Sequence, residues 1–394
     1  MNLKIDLKKL TLVPSCMMFV LIVATALTLN AVDGMQTASY AMLALVIVDF
    51  VFILFLYVRE HKVSLISFLS LMFFLLMIVF SAINGTNVKD GIFCFIELSS
   101  LIMLMEYYKG NMKMLLVACL VAFSFCVYLN FAYILKNPSW VIAADKDAHG
   151  YPLGGNYNQF GCRMICAIIT NIICLKFSKK WLFNLIPLVL VCIVSLGIVA
   201  SMTSLGCIVL FLIIYLIPSA KIKKLALASV VTIVLLFQFA IVFNGNGIEN
   251  NDAARYIVED VMGKDITFTK RTEKWETGMN AFYQSPVIGY GMVDEKWYLT
   301  HMVSEGVGPH NYLINVLING GIVLMALFVL IFALVLKKIK RPADSTMLNL
   351  LLALSLLFTM MLMEVYPYIF VFYMLLLICY YPEIKASSIS TSSE

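Results

Sequence analysis

Runs of roughly 20 apolar residues recur from one end of the chain to the other, and that repetition leaves few folds open. A stretch such as "MLLVACLVAFSFCVYLNFAYIL" is continuously apolar, whereas a membrane-spanning barrel is written in alternating segments of about 10 residues. Backbone polar groups inside a bilayer must be satisfied within the segment, so helices are the spanning element here. With 62% hydrophobic and 13% charged residues, the chain reads as an all-α, polytopic helical membrane protein.

Apolar segments fall at about 11–30, 38–57, 63–82, 91–107, 112–135, 158–176, 181–200, 203–218, 225–243, 311–336, 345–364 and 366–381, which predicts about 12 transmembrane helices. The boundaries near "SMTS" at 202 and "VYPY" at 366 are the ones where a single long helix or a re-entrant pair would change the count. If the N-terminus is cytoplasmic, the inside segments carry 18 of the 28 Lys and Arg, while the short outside loops carry Lys89, Lys136 and Lys146. That asymmetry follows the positive-inside rule and predicts two cytoplasmic termini. The first apolar run follows Lys4, Lys8 and Lys9 and lacks a small-residue cleavage site, so it reads as a first helix rather than a removed signal. The net charge of +5 is thus a matter of topology and implies no nucleic-acid partner.

The organisation expected is one integral-membrane domain over 1–394, with a first long outside loop at 136–157, a large ordered outside loop at 244–310 and a cytoplasmic tail at 382–394. Within the large loop, Trp275, Gly278, Met279 and Phe282 share one helical stripe, and Pro286, Gly289 and Gly291 then break the helix. The ten cysteines lie in or near apolar segments without ligand spacing to a histidine, so they read as core or lipid-facing thiols and no metal site is expected.

Polar residues stand out against this background. In "GPHNYLINVLINGG", His310 precedes Asn311, Asn315 and Asn319, whose four-residue spacing makes one stripe down a helix. The bend at "GVGP" and the helix start beyond it supply free N–H groups and a positive dipole end, suited to an anion such as a diphosphate. Histidine there has the chemistry of a general base. Arg271 has the fork geometry for phosphate oxygens, and Trp275 one turn on suits a sugar face or the membrane interface. Arg163, inside the sixth apolar segment, must snorkel, pair or meet an anionic ligand. Asp49 and Glu97 are intramembrane acids able to pair with it. Arg255 is a further candidate phosphate contact, and Glu364 and Tyr366 lie at the outer end of the eleventh segment.

The ordered set Arg271, Trp275, Pro286, Gly289, Gly291, His310, Asn311, Gly320 and Gly321 resembles the signature of the O-antigen ligase and polysaccharide polymerase family, and "GGNYNQFG" at 154–161 resembles its opening of the helix after the earlier outside loop. Leu205 in "MTSLGC" departs from the Ser-Arg-Gly element of many relatives, which removes one expected phosphate contact. The resemblance implies a GT-C-like membrane glycosyltransferase of the bacterial cytoplasmic membrane. Such enzymes transfer a glycan from undecaprenyl diphosphate to an acceptor hydroxyl without a cofactor, nucleotide sugar or required metal. It implies His310 as the base and Arg271, Arg163, Arg255, Trp275 and Asn311 as diphosphate or substrate contacts. The implied partners are the lipid-linked glycan, membrane lipids and a chain-length regulator. Polymerase and ligase share a donor and differ in acceptor, so both readings stay open. A transporter or flippase is a third, though the sequence shows neither the paired repeats nor the broken helices usual in that class.

Overall fold

The computed structural model describes residues 12–60, 63–138, 150–243, 271–302, 308–339 and 344–390. Arg255, most of the polar half of the large loop and the far ends of both termini lie outside the described residues. Among those described the chain is all-helical, with no strand beyond two isolated bridges, Leu27 to Leu153 and Tyr151 to Gly155.

The helices are α1 (Leu12–Ala26), α2 (Gln36–Glu60), α3 (Leu65–Asn84), α4 (Val88–Tyr107), α5 (Met112–Lys136), α6 (Phe160–Cys174), α7 (Leu182–Ile198), α8 (Met202–Leu216), α9 (Ala220–Ala240), α10 (Arg271–Gln284), α11 (Glu295–His301), α12 (Tyr312–Lys337), α13 (Ser345–Met361), α14 (Tyr368–Cys379) and α15 (Tyr381–Ser390). Each apolar segment expected from the sequence coincides with a helix. The "SMTS" and "VYPY" boundaries separate α7 from α8 and α13 from α14. Among the described residues and by length and composition alone, six helices are long and apolar enough to cross a membrane, counting α12 end to end, and a seventh if the pair α14–α15, bent by 59°, is taken as one span. Helices α1, α8 and α13 are apolar but shorter.

Burial sorts these helices into layers. Every residue of α6 and of α14 is buried, so these two form the centre of the bundle. A helix apolar on all sides is stable in that position. At the other extreme, only 22% of the apolar window of α2 and 17% of that of α9 are covered by protein, which leaves their leucine, valine and phenylalanine side chains facing outward, as lipid contact requires.

One feature departs from the single span expected at 311–336. Helix α12 is broken at Gly321, whose backbone lies at φ 58°, ψ −154°. The ring centroids of Tyr312 and Phe328 are 6.0 Å apart, although residues sixteen apart on a straight helix are separated by about 24 Å, so the two halves fold back on each other. The break removes the bonds from Ile322 N to Ile318 O and from Val323 N to Asn319 O. Residues 286–291 replace them: Tyr290 N and Gly291 N donate to Ile318 O and Asn319 O at 2.8 Å each, while Ile322 N and Val323 N donate to Pro286 O at 2.8 Å and Val287 O at 3.2 Å. Two backbone acceptors and two donors at the break are thus paired within the protein. The same loop is held from its other side, where Met292 N donates to Ser81 Oγ, Thr86 Oγ1 to Tyr290 O and Asn84 Nδ2 to Gly289 O.

This contact explains why "SPVIGYGM" and "NGG" are spelled with glycine. A Cβ on Gly289 would stand 2.4 Å from Ile318 O, one on Gly291 2.2 Å from Ser81 N, and one on Gly321 2.4 Å from the Val287 carbonyl. All three also have positive φ. The stripe of α10 falls where the sequence places it, with Trp275, Gly278, Met279 and Phe282 buried in a second core with Ile314, Leu317 and Ile318 of α12.

Gly291→Ala and Gly321→Ala are therefore expected to lower the melting temperature of the detergent-solubilised protein, each by more than the roughly 1–3 kcal/mol of backbone strain alone, because the added methyl group meets backbone. Gly206→Ala, where a Cβ meets nothing within 4 Å, should leave it unchanged or slightly raised. Equal melting of Gly321→Ala and Gly206→Ala would contradict the described break.

Candidate active site

The break in α12 directs its short first half so that its N-terminus lies inside the bundle, and the site is built around that end. Gly308 turns the chain at φ 70°, Pro309 packs on Gly278 of α10, and His310 follows in the left-handed region at φ 46°. A non-glycine residue in that region is strained, and such strain persists only where neighbours hold it.

Asn311 is one of those neighbours. It is fully buried and is the N-cap of α12, its Oδ1 accepting from Leu313 N at 3.0 Å and Ile314 N at 3.1 Å. Its Nδ2 donates to Gln238 Oε1 at 2.9 Å and to Leu362 O at 3.2 Å, tying α9 and the end of α13 to the turn. Both amide atoms of Asn311 are thus engaged in holding the cap. The backbone N–H groups of His310, Asn311 and Tyr312 have no acceptor among the described residues, so three adjacent donors accompany the positive end of the helix.

The imidazole meets Glu364 in the loop between α13 and α14, with Nδ1 3.3 Å from Oε2. The side chains are 15% and 14% exposed, so water reaches the pair but does not surround it. The other carboxylate oxygen accepts from Val365 N at 3.0 Å.

Arg163 joins the same neighbourhood from α6. It is 2% exposed, and its Nε donates to Ala26 O at 2.9 Å and its Nη1 to Gln159 O at 2.8 Å, with the guanidinium carbon 4.8 Å from the Phe370 ring centre. Gln159 in turn donates from Nε2 to Val365 O at 2.6 Å. A continuous set of bonds therefore runs from Arg163 through Gln159, Val365 and Glu364 to His310. Asp49 and Glu97, the acids that the sequence offers as a counter-charge or a proton path, are not among its partners in these contacts; two backbone carbonyls and an aromatic face meet the guanidinium. None of these bonds among the described residues uses Nη2. The "GGNYNQFG" segment accounts for this pose: a Cβ at Gly154 would stand 2.7 Å from Arg163 Nη1, and one at Gly161 2.3 Å from Ser204 Oγ.

The remaining asparagines continue inward. Asn315 Oδ1 accepts from Tyr298 at 2.6 Å, and Asn319 Nδ2 donates to the Tyr368 hydroxyl at 2.9 Å, with Asn315 Nδ2 3.4 Å from the same oxygen. Burial, and then the nearby Tyr368, pushes the Tyr298 phenol well above its usual pKa, so it stays a neutral donor to Asn315. These side chains serve helix contacts and tie α11 to the bundle.

Arg271 is half-buried at the first turn of α10, on the same face as Gly278 two turns later, which docks on Pro309 and Ile314. Trp275 is fully buried, its ring edge-on to Phe237 at 6.0 Å, so it anchors α10 to α9. Of the expected site residues, His310, Asn311 and Arg163 converge through named bonds, Arg271 sits on the helix docked beside them, and Arg255 lies outside the described residues. Gln159 and Gln238 complete the site and were not singled out from the sequence, where nothing in their spacing separates them from ordinary polar residues.

Residues 181–329 match the family model described as O-antigen ligase, which spans α7 to the second half of α12 and includes Arg255, Arg271, Trp275, His310, Asn311 and the break at Gly321. The match supports a membrane protein of the O-antigen ligase and polymerase family. Arg163, Gln159 and Glu364 lie outside the matched range. Comparison with curated proteins gives no match.

Arg163→Lys keeps the charge but cannot span Ala26 O and Gln159 O at once, so it should destabilise the protein by roughly 1–3 kcal/mol, read as a lower melting temperature. Asn311→Ala removes a cap worth about 1 kcal/mol and strands two buried partners, so its melting temperature should fall at least as far. A wild-type melting curve for either variant would detach it from these bonds.

Proposed function

Starting from the O-antigen ligase domain at residues 181–329, we propose that this protein is a polysaccharide polymerase. In this reading it transfers glycan from undecaprenyl diphosphate to the hydroxyl of a second lipid-linked repeat unit, at the outer face of the bacterial cytoplasmic membrane. The observation that carries the proposal is a strained histidine at the N-terminus of a half-helix inside the bundle, beside three N–H groups that have no acceptor among the described residues.

His310 takes the proton of the acceptor hydroxyl as its oxygen attacks the anomeric carbon. The bond from that carbon to the diphosphate oxygen breaks, the electron pair leaves with the phosphate, and configuration at the anomeric carbon inverts. Charge then grows on the leaving diphosphate. The helix N-terminus, Arg271, and Arg163 through Nη2 are disposed to stabilise it, and Arg255 is assigned to the same role. Asn311 and Trp275 act by holding the turn and α10 in place. A chain-length regulator is the expected protein partner, and the product serves capsule, exopolysaccharide or O-antigen biosynthesis.

A ligase that moves finished glycan to a lipid or wall acceptor is the second reading, favoured by the family description itself. The broken α12 favours a third, a transporter or flippase, because discontinuous helices with inward-facing ends are common there. Here, however, the loop 286–291 occupies the gap in the helix.

Purified protein in liposomes with lipid-linked repeat units separates the three. Polymerase activity yields a ladder of longer lipid-linked glycans, ligase activity requires an added acceptor, and a flippase leaves glycan length unchanged. His310→Ala is expected to lower polymer formation on the order of 10²–10⁴-fold at equal protein and retained donor binding. Arg271→Lys should lower turnover without changing abundance. A wild-type ladder from His310→Ala would remove the base assignment.

A further inference from the structure

The base role of His310 leaves open which ring nitrogen performs it, and the surroundings of Nδ1 answer that. Oε2 of Glu364 is 3.3 Å from Nδ1, and an ionised carboxylate is an acceptor only. We propose that Glu364 is a positioning residue that keeps the proton on Nδ1 of His310 and so presents Nε2, unprotonated, to the acceptor hydroxyl. This rests on the reading of His310 as the base.

Three observations support a built arrangement over a chance approach. First, the carboxylate cannot turn freely, because Oε1 accepts from Val365 N at 3.0 Å. Second, the segment carrying it is tied on both sides, through Gln159 Nε2 to Val365 O at 2.6 Å and Asn311 Nδ2 to Leu362 O at 3.2 Å. The second tie comes from the residue next to His310 and reaches Leu362, two residues before Glu364, so imidazole and carboxylate are held by a nearby parallel bond. Third, His310 holds a left-handed backbone at φ 46°, which fixes where the ring leaves the chain.

Strain with both partners anchored is what an oriented base requires, since a freely rotating imidazole would offer either nitrogen. The arrangement also gives Arg163 a second role. By donating to Gln159 O it fixes the residue whose side chain holds Val365, so the cation contributes to the position of the base through a chain of four bonds.

The test combines kinetics with the protonation state of the ring, on full-length protein in detergent or liposomes. In protein with ¹⁵N-labelled imidazole, the resonances missing from His310→Ala identify His310. Wild type should show a protonated Nδ1 and an unprotonated Nε2. Glu364→Gln, whose amide can donate to Nδ1, should shift the population toward Nε2–H and lower kcat on the order of 10²–10⁴-fold, with donor KM within about twofold. Glu364→Asp should recover part of both. A ring protonated at Nε2 in wild type overturns the proposal whether or not a Glu364 variant folds. So does a Glu364→Gln enzyme with wild-type kcat and unchanged tautomer, and that result leaves His310 as the base. Wild-type polymer from His310→Ala would instead overturn the underlying reading.

Discussion

A chain that breaks a helix inside a bilayer must supply partners for the backbone groups it frees, and residues 286–291 do so here. Four bonds between that loop and residues 318–323 convert a spanning helix into a short arm and a long one. Everything that characterises the site depends on this. Without the fold-back, the N-terminus of α12 would emerge at one surface, and His310 would meet neither Glu364 nor, through Asn311, the ends of α9 and α13. An unsatisfied amide in an apolar environment costs several kcal/mol, so the break and the loop exist only together.

Much of this was legible in the sequence because it is written in residue types with few alternative uses. Apolar runs placed the helices, and the Trp275, Gly278, Met279 and Phe282 spacing placed the buried face of α10. The polar string from His310 to Asn319 marked the segment around which the site forms. The fold-back itself was not legible. Its bonds are backbone to backbone, and they join residues 286–291 to residues 318–323 without any side-chain signal beyond glycine. The sequence reading saw Gly289, Gly291, Gly320 and Gly321 as a family signature and treated 311–336 as one span; only their close approach shows what glycine is for.

Arg163 and Trp275 illustrate a different limit. Periodicity correctly identified both as residues that a membrane protein must account for, but it could not rank ligand against protein as the partner. Arg163 found two carbonyls and an aromatic ring instead of a carboxylate, which satisfies a buried guanidinium without requiring a second charge. Trp275 packs edge-on against Phe237. Glu364 shows the reverse case, an acid whose 54-residue separation from His310 hides a direct contact.

The donors and acceptors closing the gap in α12 also constrain how the protein is assembled. The loop at 286–291 is synthesised before residues 318–323, and its other anchors at Ser81, Asn84 and Thr86 earlier still. When residues 312–337 enter the membrane, they can form an uninterrupted helix with all bonds internal, and convert to the two-armed form only once the loop is docked on α3. The bent state thus has a prerequisite that the straight one lacks. The turn at His310 therefore depends on hydrogen bonds exchanged within an already apolar segment rather than on burial of a polar one.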